Sequence, residues 1–247
     1  MIRDYNKYEF TKKENIIYFL MGVMIILILG ILFYRNIVGV IILSPTIYYF
    51  RIFIKKSIIN KRKWKLNLEF RDGITALSAA LEAGYSTENA FEQASKDLRL
   101  LYDQHSMIIS EFNYIINQMR MNITVEEAIR DFGDRTGIED IKSFAEVFNT
   151  AKRTGGDLIN VIKTTNLIIN DKIEVNREIL TIISAKRLEA NVMKGIPLFI
   201  LCYLAATSPG FLDPLYNNII GFMVMTLMLI FYLAAFLIID KIVLIEV

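Results

Sequence analysis

The sequence predicts an all-α membrane protein: four transmembrane helices, paired as two hairpins, bracketing a cytoplasmic six-helix bundle. Three observations carry this prediction. Four apolar stretches of spanning length lie in the first and last fifths of the chain. The segment between them has no proline from Pro45 to Pro197 and repeats its apolar residues with a helical period. Basic residues crowd beside the first pair of stretches and are missing from the loop of the second.

Residues 16–34 are nineteen without a charge, and 37–54 are eighteen with Arg51 alone. Residues 195–212 are eighteen with no charge, and 219–239 are twenty-one with none. A bilayer core of about 30 Å needs about 20 residues of helix. Backbone in lipid must satisfy its own hydrogen bonds, which helices do. Gly22 and Gly30 allow close packing in the first stretch. Pro45 in the second and Pro209 near the end of the third kink or end their helices. A cleaved secretory signal does not fit the first stretch, which is too long and has no Ala-x-Ala-like site after it.

The net charge of +2 hides an asymmetry. Residues 1–65 carry 12 Lys/Arg against 3 Asp/Glu, residues 66–190 carry 14 against 20, and residues 191–247 carry 2 against 3. Arg51, Lys55, Lys56, Lys61, Arg62, Lys63 and Lys65 follow the second stretch, while Arg3, Lys7, Lys12 and Lys13 precede the first. Loop 208–218 has neither Lys nor Arg. The positive-inside rule then places both termini and the central domain in the cytoplasm, in a cell (inner) membrane protein, with Arg35 the one exception. The same basic residues suit anionic lipid head groups. The expected segments are a cytoplasmic stretch 1–15, a hairpin 16–54, a basic linker 55–65, the helical domain 66–190, a second hairpin 191–239 and a tail 240–247.

Within 66–190 the turn signals are regular. A first helix over about 66–83 ends at Gly84, suited to a left-handed C-cap. Ser86 or Thr87 caps a second, which runs to about Leu101, and a polar turn at Asp103 starts a third over about 106–120. Thr124 and Glu127 have the spacing of a capping box that opens a short fourth helix. The fifth, about 139–154, carries Ile141, Phe144, Ala145, Phe148 and Ala151 on one stripe. After Gly155 and Gly156, Asp157 caps a sixth helix, which runs on as helix into the third span, with 170–171 as the one place marked for a break. Such a helix from 157 to 190 is about 50 Å long at ~1.5 Å per residue.

The chemistry is sparse. Cys202 lies inside the third stretch and the single histidine, His105, in a polar turn, so no disulfide framework or zinc site is expected. No His-based triad has enough members. The Gly155–Gly156 pair lacks the Lys and Ser/Thr of a phosphate loop. The carboxylate pairs Glu126/Glu127 and Glu139/Asp140 fall at helix starts, where acids complement the dipole. No ionisable side chain lies in the interior of an apolar stretch, which disfavours a channel or transporter. No enzyme activity and no cofactor is expected. A membrane-tethered scaffold or signalling protein that binds a cytosolic partner through its bundle stays open.

A set of motifs resembles one family. Ala83, Gly84, Tyr85 and Ser86 are followed by Glu126, Glu127, Ala128, Ile129 and Arg130. Then come Phe148, Ala151, Arg153, Gly155, Gly156, Asp157 and Leu158, next Lys186, Arg187, Leu188, Glu189 and Ala190, and finally Ile196 and Pro197. In order and spacing they are similar to the F domain of type II secretion and type IV pilus systems. The nearest branch is the tight-adherence (Tad/Flp) pilus platform protein, TadB-like, which carries one such domain. The outer loop 208–215 and the ending 242–247 are also similar to that branch. The resemblance covers roughly residues 60–247. One departure is Asn122, where the family usually has a glycine between the third and fourth helices. The resemblance implies a non-enzymatic platform in the cytoplasmic membrane. Its partners would be a hexameric secretion ATPase, pilin-like subunits, the bilayer, and itself or a sister TadC-like protein, with no nucleic acid. On that reading the contacting or moving residues are Arg153, Gly155, Gly156 and Asp157, together with Arg187, Glu189 and Pro197.

Overall fold

The protein was analysed as a computed structural model that describes residues 4–154, 157–208, 210–216 and 218–243, without the side chains of 37, 38, 42, 49 and 240–243. The described residues form helices and no strand. In chain order they are α1 (Lys12–Tyr34), α2 (Ile37–Leu43), α3 (Thr46–Glu82), α4 (Thr87–Leu101) and α5 (Met107–Arg120). They continue as α6 (Val125–Thr136), α7 (Glu139–Thr154), α8 (Leu158–Thr207), α9 (Asp213–Tyr216) and α10 (Ile219–Val243).

The boundaries follow local chemistry. Ser86, Ser106 and Thr124 cap α4, α5 and α6, each accepting a hydrogen bond from the N–H three residues on. Gly84 and Gly137 end α3 and α6 with φ of 88° and 59°. Asn122 takes the left-handed turn after α5, φ 64°, and Ile123 N–H reaches back to Gln118 O at 3.1 Å. A short polar side chain tolerates that region better than most, which suits asparagine to this turn.

Three elements differ from expectation. The stretch 37–54 is not one helix: it divides into α2 and the start of α3, broken at Ser44 and Pro45. Proline has no N–H and displaces the carbonyl four residues back. The Ser44 hydroxyl donates to Ile41 O at 2.8 Å and the Thr46 hydroxyl to Leu43 O at 2.6 Å, covering carbonyls the break leaves open. Among the described residues three helices are therefore long and apolar enough to cross a membrane: Lys12–Tyr34, Leu158–Thr207 and Ile219–Ile239. Second, the first bundle helix does not start near 66, because α3 has no glycine or proline from Thr46 to Asp72 to stop it. Third, the third apolar stretch leaves the helix early, although the sixth helix does run on into it. Helix α8 runs through Asn170 and Asp171, and through Pro197, before ending at Thr207, short of the 212 expected.

The chain divides into two compact units, one of Met1–Glu9 with Lys55–Val175, the other of Phe10–Ile54 with Asn176–Val247. In the first, a single apolar core draws on α3 to α8. Leu66, Phe70, Ile74 and Leu77 line α3, Phe91 and Leu98 line α4, and Phe112, Phe132 and Phe148 come from α5, α6 and α7. Helix α8 adds Ile162, Ile169 and Ile173. Phe70 meets Phe132 and Phe144 edge-on at 5.8 and 5.6 Å between ring centres, a favoured aromatic geometry. Gly73 makes room for Phe112, whose ring would lie 2.9 Å from a Cβ at that position.

In the second unit α1 packs closely on α2. A Cβ on Gly30 would lie 2.7 Å from Val40 Cγ2 and 3.2 Å from Val40 N, and one on Gly22 would touch Phe50 at 3.5 Å. Ile26, Phe33, Tyr34, Leu43, Met225 and Leu229 make a small core. Polar links join the helices, with the Tyr34 hydroxyl donating to Thr226 Oγ1 at 3.1 Å and the Tyr216 hydroxyl to Leu32 O at 2.7 Å. Arg35, the exception to the charge rule, pairs with Asp213 at 3.1 Å.

Candidate coupling surfaces

In the first unit the turn between α7 and α8 sits at one end of the bundle. Arg153 is exposed on the last turn of α7. Gly155 and Gly156 lie outside the described residues. Asp157 Oδ1 accepts the Asn160 N–H at 3.1 Å, so its carboxylate occupies the N-terminus of α8 as an N-cap. A phosphate has no place where a carboxylate already sits.

Around this turn three ion pairs tie helix starts to helix ends. Arg120 at the end of α5 reaches Glu92 of α4 at 2.7 Å. Lys152, beside Arg153, reaches Glu126 at the start of α6 at 3.0 Å. Lys163 in the second turn of α8 reaches Glu82 at the end of α3 at 3.3 Å. The pairs make a collar of alternating charge at the end that also carries exposed Tyr85 and Met121. Burial works against the charged Glu126 carboxylate. Hydrogen bonds from its backbone N–H and from Lys152 outweigh that and hold its pKa below the usual carboxylate value. Each exposed pair is worth only about 0.2–1 kcal/mol, so the collar sets register without stiffening the end.

The opposite end is built from buried polar groups that the sequence pattern did not flag. Arg135 grips Glu111 with two hydrogen bonds of 3.2 and 2.7 Å and Asp131 with a third of 2.7 Å, and its guanidinium stacks 4.9 Å from the Tyr114 ring centre. Burial opposes the charge on Arg135, but the two carboxylates more than restore it and raise its pKa. Nearby, Asp140 accepts from Asn67 at 2.7 Å and from Lys172 at 2.6 Å. The only advance signal was Asp131 four residues before Arg135, a common helix pairing. Glu111 stands in the apolar face of α5, and nothing in its spacing announces a partner.

Arg187, Glu189 and Pro197 lie on α8 in the second unit, apart from Arg153 and Asp157 in the first. Arg187 is exposed. Glu189 is paired with Lys186 at 2.8 Å, and that contact lowers the Glu189 pKa and raises that of Lys186. Pro197 is inside α8 and loosens its hydrogen-bond ladder. On that turn α10 clasps α8: the Tyr232 hydroxyl donates to Lys194 O at 3.0 Å, and the Lys194 ammonium lies 4.4 Å over the Phe236 ring. Pro197 was visible in the sequence, but the clasp was not, because Tyr232 is 38 residues away.

Among the described residues no group of three or more His, Cys, Asp or Glu side chains is placed to hold a metal ion. The architecture offers surfaces and joints.

A family model for type II secretion system (T2SS), protein F, matches residues 74–206, from the third turn before the end of α3 to the last residues of α8. No curated protein and no solved structure matches the chain. The family match takes in the core residues from Ile74 onward, the collar, the Asp157 cap and the Pro197 turn, and spans more than half of the sequence. The chain therefore belongs to the type II secretion system protein F family.

Proposed function

We propose that this chain is the cytoplasmic-membrane platform of a Tad/Flp-type pilus or a related type II secretion machine. Family membership supplies the coarse part of that reading, a membrane platform protein of type II secretion or type IV pilus-like systems. The finer part assigns roles. The collar end of the bundle, with Arg153 and Asp157, takes up the motion of a hexameric secretion ATPase. Helix α8 passes that motion to membrane helices that handle pilin-like subunits, beside a second copy or a sister TadC-like protein. Four crossings, counting α2 with the start of α3 as one bent span, put both termini and the bundle in the cytoplasm.

The observation that supports this most is α8 itself. It is helical from the residue after the Asp157 cap to Thr207, so one element begins at the collar and ends as an apolar stretch. Intact helix transmits rotation as well as displacement.

The experiment has two arms. The tagged chain is extracted in mild detergent from its native membrane and the co-purifying proteins are identified. A secretion ATPase is expected, and it is lost in Arg153→Glu. In the second arm one residue is inserted after Arg187, which rotates everything beyond it by about 100°. Fibre assembly is expected to stop while the bundle stays folded. Recovery of the chain alone favours the scaffold reading, and full piliation in the insertion variant removes mechanical coupling.

A further inference from the structure

The segment that precedes α1 is not a loose tail. Residues 4–9 belong to the bundle unit, whereas α1 belongs to the other unit. Tyr5 is 1% exposed, and its neighbours Asp4 and Asn6 are exposed. The phenol donates to Glu111 Oε1 at 2.7 Å, the same carboxylate that Arg135 grips. The backbone and side chain of the segment then finish the end of α6. Tyr5 N–H and Asn6 Nδ2 both donate to Arg135 O at 3.3 Å. Carbonyls in the last turn of a helix have no partner within it, and this segment supplies donors. Lys63 from α3 closes the far side, donating to Asn6 Oδ1 at 2.6 Å and Gly137 O at 3.4 Å. Arg62 stacks over the Tyr8 ring at 5.5 Å. Gly137 is required beneath it all, because a Cβ there would lie 2.6 Å from Asn6 Oδ1.

This is the geometry of a plug on a short cord. One aromatic ring is buried, and the residues on either side of it stay in water. Burial of one ring and a few hydrogen bonds oppose the entropy of ordering the segment, so the bound and free forms lie close in free energy. When Tyr5 leaves, Glu111 keeps both of its bonds to Arg135, so the bundle does not depend on the plug. Only Glu9, Phe10 and Thr11 separate the stacked Tyr8 from the first residue of α1. Thr11 is itself locked as the N-cap of α1, its N–H donating to Glu14 Oε2 at 2.9 Å.

We propose that residues 4–9 are a releasable strap, with Tyr5 as its plug and the Glu111–Arg135 end of the bundle as its socket. Seated, the strap covers that end of the bundle; released, it uncovers the Glu111–Arg135 pair. The device stands on the bundle alone, whatever machine it serves.

The test is hydrogen exchange on the full chain in detergent, comparing wild type with Tyr5→Phe and Tyr5→Ala. In wild type the amides of residues 4–9 exchange more slowly than in a free peptide. Tyr5→Phe keeps the ring and removes one hydrogen bond, so exchange in the strap speeds up by about tenfold. Tyr5→Ala brings the strap to free-peptide rates and leaves α4 and α7 unchanged. Free-peptide rates in wild type overturn the strap. Unchanged protection in Tyr5→Ala overturns the plug. Loss of protection throughout the bundle in Tyr5→Ala makes Tyr5 an ordinary core residue, and a normal Tyr5→Phe profile removes the role of the phenol.

Discussion

The two ends of the bundle use the same residue types in opposite ways. At the strap end the side chains of Arg135 and Glu111 are 13% and 6% exposed. At the collar end those of Arg120 and Glu92 are 66% and 39% exposed. Buried, an ion pair must be complete, because either partner alone is a desolvated charge. Exposed, the same pair is nearly free to break, since water replaces what is lost. One end of the bundle therefore holds its geometry and the other can be rearranged at little cost by whatever docks there.

The comparison is broken most directly at the strap end. Arg135→Met removes the cation and leaves Glu111 buried with the Tyr5 phenol as its remaining partner. A loss of about 3–5 kcal/mol is expected, the range for orphaning one member of a buried pair. Thermal unfolding of the solubilised chain measures it. A loss below about 1 kcal/mol erases the distinction between the ends. Asp157→Ala tests the collar end and removes only a helix cap, so about 1 kcal/mol is expected from the same measurement. An effect as large as that of Arg135→Met makes the collar end as intolerant of loss as the strap end.

The smallest effect sharpens the picture through pH. The Glu126 pKa is lower in the folded chain than its ordinary value of 4.5. Its contribution is therefore complete above that ordinary value and is lost as pH falls through the folded pKa. The denaturation midpoint of wild type is expected to fall more steeply below about pH 4.5 than that of Glu126→Gln. Parallel curves rule out a folded-state role for the Glu126–Lys152 pair.

Helices α4 to α7 were readable nearly to the residue, because Ser86, the polar turn at Asp103 and Thr124 are local signals that act within one turn. Asn122 was readable for the same reason. The split at Ser44 and Pro45 was half readable: the proline was seen as a kink, while the hydroxyls that let the chain stop and restart there answer to local geometry. The continuity of α3 was under-read, while that of α8 was read with a break at 170–171 left open. Charged residues after an apolar stretch look like a linker, yet Lys, Arg and Glu are good helix formers and nothing at 55–65 or 170–171 interrupts them. Asp157 caps α8, as an aspartate after two glycines suggested. The strap, the Arg135 cluster and the Tyr232 clasp were unreadable, since each joins residues far apart in sequence, and a lone tyrosine near a terminus has no period.

The contact of α1 with α2 has a consequence for how this protein can change over time. Gly30 meets Val40 so closely that a single methyl group would lie 2.7 Å from its side chain and 3.2 Å from its backbone nitrogen. Every one-base change in a glycine codon that alters the residue adds at least that methyl, so position 30 has no mild neighbour in the genetic code. Drift there has to begin at residue 40, with a smaller side chain that opens the space first, and the order in which the two substitutions arise is set by sterics before selection on function acts.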